Sequence, residues 1–427
     1  LKLETTMFQL SERNQRMNKI SSYLSIRKWI VITLFNLLIV GIFGLIMRLK
    51  FLFPIPWIDQ KNLMHAHSHF AFSAWVSQAL MIFLIMTVLG IKTNQILCRK
   101  YQHILWANWT VSIGMLISFS AAGYNLCSII LSFLSILVSY WFCFQLVRDL
   151  KSSTLPPAIS ILIKSALFFN IFSSLGTYFL AYLKVSHQLD PLKQLASVYF
   201  YLHFQYNGWF FFGCIALFAS WLYKRTGKIP ISPRFSLVYV MTVIPTYFLS
   251  VLWWKGLPLW LYIIIVITVG LQFVLWGTLA QRVVRLVRSN ISLRLSPDTS
   301  KIWLCVLFAI FLKLILQGIS VIPALSQQAY GFRPIVIAYL HLVLLVVISL
   351  FLIGYAFQIC MLKIEKGIHY GVYGLLVGIF LNEFVLMLQG LGGFIHYSIR
   401  GTHHVLTVAA AIIVVSLYRI TQTQLRK

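Results

Sequence analysis

The sequence predicts an all-α polytopic membrane protein with twelve transmembrane helices, and three observations carry that prediction. Of the 427 residues, 60% are hydrophobic and 10% charged, whereas soluble domains are roughly 45–50% apolar and about 25% charged. Apolar runs of about 20 residues recur along the chain, the length needed to cross a hydrocarbon core. Of the 35 Lys and Arg, set against 8 Asp and Glu, all but Lys164 and Lys313 lie between those runs or at their ends. A net charge of +27 would suggest nucleic acid in a soluble protein. Charges concentrated in the loops of a membrane protein imply a lipid bilayer as partner instead, and no nucleic acid. The 15% of aromatic residues fit the same class, because Trp and Tyr favour membrane interfaces.

In chain order the apolar runs place helices near 29–49, 65–90, 102–122, 124–147, 158–183 and 196–222. The second half follows with 235–254, 258–281, 302–325, 334–359, 370–396 and 401–418. A basic segment (1–28) precedes the twelve-helix domain (29–420), and a short tail (421–427) follows it. No cleavable signal peptide is expected, since the first 28 residues are polar and basic and the first apolar run is long enough to span. With the N-terminus in the cytoplasm, 25 of the Lys and Arg fall in inside segments and 8 in outside segments. An incorrect span count would blur that bias, so both termini are expected in the cytoplasm. Inverted halves with paired Gly/Pro-broken helices, a mark of many transporters, are not apparent. Six scattered cysteines with neither CxxC nor CxxCH exclude covalently attached c-type haem and any Cys-rich zinc or iron–sulfur site.

The placement of histidine is more informative. His103, His187 and His369 fall at span ends or loops. The other eight gather at one side of the membrane. His65, His67 and His69 open the second helix in HAHSHFAFSAW, His203 lies in the sixth and His341 in the tenth. His396 closes the eleventh, and His403 and His404 open the twelfth. Helices 2, 6, 10 and 12 all run from outside to inside, so four helices deliver imidazoles to the outer third of the bilayer. A lone histidine on an apolar face is ordinarily a satisfied core residue. Within a membrane an unpartnered polar group is costly, and several imidazoles at matched depth point to a haem or metal site. Outer-interface polar residues or a proton pathway are the competing reading. His65 and His69, four apart, share a helix face, and His67 points away from them. His69 is the deeper axial-ligand candidate, His67 its competitor, and His65 belongs to the interface.

This arrangement resembles subunit I of the heme-copper oxidase superfamily, including the cbb3-type oxidases and the nitric oxide reductases. The carrying residues are His67-Ser68-His69 through Trp75, then His203 with Asn207, Gly208, Trp209, Phe210 and Phe211, and Tyr339-Leu340-His341 in the tenth helix. The resemblance implies a heme-copper oxidase subunit I-like bundle in the bacterial inner (cytoplasmic) membrane. It also implies a low-spin haem b held by His341 and His69 or His67, an electron donor that is a quinol or a cytochrome, and a partner subunit. Two departures stand out: residues 235–254 contain no histidine to complete a copper site, and Tyr339 occupies the position of the high-spin haem ligand. Tyrosine can ligate haem iron, although near an interface it is more often an anchor. An intact oxygen-reducing binuclear centre is therefore not expected. His203, His403 and His404 could instead hold copper or another transition metal if helices 6 and 12 approach each other.

Glu383, beside Asn382 in helix 11, is the one acidic residue inside a span, and Lys313 lies midway along helix 9. They could pair, or Glu383 could carry protons inward of the metal layer. The sequence thus supports a membrane haem protein with a redox role toward a small oxidant, O2 or NO, with Glu383 and Tyr339 as candidate reaction residues. A non-catalytic haem or metal sensor or electron-transfer subunit is one alternative. A proton- or metal-coupled transporter is the other.

Overall fold

The computed structural model describes residues 23–425 apart from Leu189, Lys255, Ile291, Ser292, Arg294, Phe332, Lys366, Ile395, His396 and Ser398. His396, residues 1–22 of the basic segment, and residues 426–427 of the tail lie outside the described residues. Among the described residues twelve long helices follow one another. They are α1 (Ile26–Leu49), α2 (Gln60–Leu89), α3 (Arg99–Ala122), α4 (Leu126–Lys151), α5 (Pro157–Val185) and α6 (191–226). The second half comprises α7 (Pro233–Val251), α8 (Leu259–Arg288), α9 (Pro297–Ser320), α10 (333–358), α11 (Ile368–Phe394) and α12 (Thr402–Leu425). A short helix, Pro323–Gly331, precedes α10. Among the described residues there is no strand, only an isolated bridge between Ser25 and Ile96.

Local chemistry sets the ends. Ser25, Asp59, Asp190, Ser232 and Ser296 each accept a backbone N–H at the start of a helix, satisfying donors that a helix end leaves orphaned. Asn125 and Ser128 form a reciprocal capping box at α4. α2 and α6 stop at Gly90 and Gly227, both with positive φ, the conformation glycine adopts without steric cost.

Eleven of the twelve helices are long and apolar enough to cross a membrane. The exception is α6, which is long enough but whose apolar character is diluted by His203, Gln205, Asn207 and several tyrosines. Two helices outrun the sequence expectation. α8 continues past residue 281 through the basic turns to Arg288. α12 continues past 418 to Leu425, because Thr421, Thr423 and Gln424 are buried and Gln424 bonds both the N–H and the carbonyl of Lys363. The residues expected as a free tail thus begin as the last turns of a packed helix.

Neighbours in sequence pack as neighbours in space, and α12 closes against both α11 and α1. α2 is the central element, with 83% of its most apolar window buried, whereas α4 buries 17% and lies at the periphery. α2 also packs directly against α6.

Candidate functional site

Three helices that carry outer-side histidines change geometry directly after them. α2 becomes a π-helix over Ala71–Ser77, just past His67 and His69. α6 does so over Phe204–Phe210, immediately after His203, and α10 over Leu342–Ser349, immediately after His341. A π segment adds a residue to a turn and is uncommon outside functional sites. Within a membrane its irregular backbone must be shielded by protein, and all of Phe204–Phe210 is buried. The three segments are joined by indole–hydroxyl hydrogen bonds. Trp75 Nε1 of α2 donates to Ser349 Oγ of α10 at 2.8 Å, and Trp209 Nε1 of α6 donates to Ser77 Oγ of α2 at 3.3 Å. Ser349 in turn donates to Leu344 O at 2.8 Å, five residues back. Gly208 lets the α6 segment approach α5, since a Cβ there would stand 2.5 Å from Phe169 Cβ.

The histidines divide by face. His69 stacks on Phe119 of α3 with ring centroids 4.3 Å apart, and its Nε2 is 3.3 Å from the Tyr124 hydroxyl. His65 lies edge-on to the same Tyr124 at 4.7 Å. His67 turns the other way, toward α1. Its Nδ1 is 3.1 Å from Val40 O, and a Cβ on Gly44 would meet its Cε1 at 3.6 Å. His341 holds its own Nδ1 2.8 Å from Ile337 O, one turn back along α10. His67 and His341 lie within electrostatic reach of each other and of Arg48. Arg48 lies in the last turn of α1 and is also within electrostatic reach of Glu383 and His403.

A carbonyl only accepts hydrogen bonds, so in both His67 and His341 the ring proton sits on Nδ1 and the lone pair on Nε2. Neither Nε2 has a hydrogen-bond partner among the described residues. This is the tautomer and anchoring of a metal-ligating imidazole, whose second nitrogen donates to a carbonyl and fixes the ring. The pair therefore fits a haem iron chemically.

His203 is arranged in the opposite way. Its Nε2 is 2.9 Å from Val243 O of α7, and its Nδ1 is 3.1 Å from Asn207 Nδ2. One ring nitrogen donates and the other accepts, so no lone pair is left for a metal. The ring is 1% exposed, which makes it a satisfied buried side chain. His403 and His404 are both exposed, and His403 stacks on Phe51 at 4.7 Å. Among the described residues no group of three or more His, Cys, Asp or Glu is placed to hold a metal ion. His203 with His403 and His404 accordingly does not fit copper or another transition metal.

The charged residues of the spans also fall apart as a pair. Lys313 Nζ donates to Gln317 Oε1 at 3.0 Å and lies over the Phe211 ring at 5.6 Å. Glu383 Oε1 instead accepts from Asn382 Nδ2 at 3.0 Å. Tyr339 meets Tyr206 of α6 edge to face at 6.3 Å, so it faces α6 while His341, two residues on, reaches toward α2. Arg48 is the site residue that sequence reasoning missed, having been counted as an outside loop charge. Its signal was its position in the last turn before a loop, level with the outer histidines of α2.

No protein-family model matches the chain, and no curated protein matches it. A solved structure described as a cryo-EM structure of a heme-copper terminal oxidase dimer is similar, with a TM-score of 0.67 over 94% of this chain and 84% of that one. The two are 13% identical. The bundle thus shares its fold with that structure, and its apolar helices make the chain an integral membrane protein.

Proposed function

We propose that the protein is a membrane haem protein in which His67 of α2 and His341 of α10 would hold one low-spin haem b. The observation that carries this reading is the imidazole pair of α2 and α10 within electrostatic reach of each other, each ring anchored through Nδ1 to a carbonyl with Nε2 free. When bound, a bis-imidazole haem carries one electron and leaves no open position on iron. The chain's own residues orient and balance it. Val40 O and Ile337 O fix the ligand rings, and Arg48 supplies a positive charge to pair with a haem carboxylate. Glu383, with Oε1 engaged by Asn382, keeps Oε2 to hold a proton near Arg48. His69, turned toward Phe119 and Tyr124, is a packing residue of the α2–α3 contact.

The electron donor in this reading is a quinol or a cytochrome. The engaged nitrogens of His203 and the absence of histidine from residues 235–254 favour an electron-transfer or sensing role over a complete reductase. A dithionite-reduced optical spectrum of the purified protein tests the reading. A low-spin b-type band is expected in the parent protein and in His69→Ala, and its loss in His67→Ala and in His341→Ala. Purification of a folded protein with neither haem nor metal would overturn it. Measuring O2 and NO consumption with an artificial donor then separates a reductase from a carrier.

A further inference from the structure

At the end of the bundle where most of the basic residues collect, the chain leaves α6, turns and enters α7 beside the last turns of α8. A groove of about 590 Å³ opens there, lined by Lys228, Ile231, Ser232, Arg282, Arg285 and Ser289 among others, with no Asp or Glu in its walls. The ion pairs among the described residues lie elsewhere: Lys100–Asp149, Lys193–Asp190, Lys363–Glu365 and His369–Asp298. The three cations of the groove therefore face each other without a neutralising side chain. Arg282 is held in place, its Nη1 3.4 Å from Pro230 O and its guanidinium 5.3 Å over the Phe235 ring. The rest of the groove wall is apolar, formed by Ile229, Pro230, Ile231 and Leu286.

We propose that this groove is a binding site for a phosphate-bearing anion, with the headgroup of an anionic membrane phospholipid as its occupant. Clustered Lys and Arg between transmembrane helices at a membrane surface recognise such headgroups. Guanidinium groups match phosphate oxygens in bidentate geometry, and the two serine hydroxyls add donors. A phospholipid is favoured over free phosphate because Ile229, Ile231 and Leu286 bring apolar surface into the same groove as the cations.

The test is a titration of the full chain, purified in uncharged detergent, with phosphatidylglycerol, phosphatidylcholine or inorganic phosphate, read by native mass spectrometry. The parent protein is expected to retain phosphatidylglycerol and neither of the other two. In K228Q/R282Q/R285Q that affinity is expected to fall by about 100-fold. R148Q/K151Q/R419Q, which removes as much charge elsewhere on the same end of the bundle, is expected to leave it unchanged. Because Arg282 also braces the α6–α7 turn, K228Q/R285Q provides a second variant that keeps the brace. Saturable binding of inorganic phosphate, lost in the groove variants, would support the phosphate site and overturn the lipid as its occupant. Equal loss in the groove and control variants, or no loss in either, would overturn the site itself.

Discussion

A hydrogen-bonded nitrogen distinguishes one histidine from another here. His67 and His341 give Nδ1 to a carbonyl and keep Nε2, whereas His203 spends both nitrogens on Val243 O and Asn207. The sequence shows the same residue type at similar depth in all three helices and cannot separate these states. The spacing in HAHSHF did place His65 and His69 on one face and His67 on another. Which face meets α10 depends on the rotation of α2, which long-range packing sets, and that is why His69 and His67 remained competitors. His203→Ala is expected to leave haem content unchanged and to cost about 1–3 kcal/mol of stability through the stranded Asn207 amide. Haem quantification with thermal unfolding checks this, and loss of haem would return His203 to the cofactor site. Glu383→Gln keeps an acceptor for Asn382 but cannot ionise. If Glu383 takes up a proton on haem reduction, the parent midpoint potential falls as pH rises, by at most about 59 mV per pH unit. The slope is expected to flatten in Glu383→Gln, and identical slopes in a spectroelectrochemical titration would remove Glu383 from proton coupling.

At the scale of the element, helix positions were readable because apolar length is dictated by the bilayer. The three π segments were not, since no residue type in AFSAWVS, FQYNGWF or LVLLVVIS demands an extra residue per turn. They arise from the helices' mutual fit, visible in the Trp75–Ser349 and Trp209–Ser77 bonds. Hydrogen bonds between membrane helices contribute on average about 0.6 kcal/mol, too little to hold the bundle together but enough to set register. A double-mutant cycle of Trp75→Phe and Ser349→Ala is therefore expected to show coupling of about that size. The low-spin haem band should broaden or shift in each single variant without loss of fold. Additive effects and an unchanged spectrum would argue that the stitch is incidental.

For the whole molecule, the twelve-helix architecture was legible as a pattern of spans, and it is shared with the similar solved structure despite 13% identity. Arg48 was not, because charge counting by loop assigns a residue to a side of the membrane and says nothing of the direction it faces. Orientation can be tested with the chain's own thiols. Cys98 between α2 and α3, Cys127 at the start of α4, and Cys360 after α10 are all exposed. With both termini in the cytoplasm, a membrane-impermeant maleimide should label Cys127 in intact cells. Cys98 and Cys360 should react only after permeabilisation, and the reverse order would invert the topology. The π segments have a further consequence for how such a chain tolerates change. Each residue of an α-helix advances the rotation by about 100°, so the extra residue sets a phase difference between the two halves of the helix. In α2 the outer turns can aim His67 while the inner turns aim Gln78 at Leu105 O and Asn108, two orientations that an unbroken helix would lock together. A one-residue deletion inside Ala71–Ser77 would re-lock them, swinging one half out of register with its neighbours while leaving the apolar length intact.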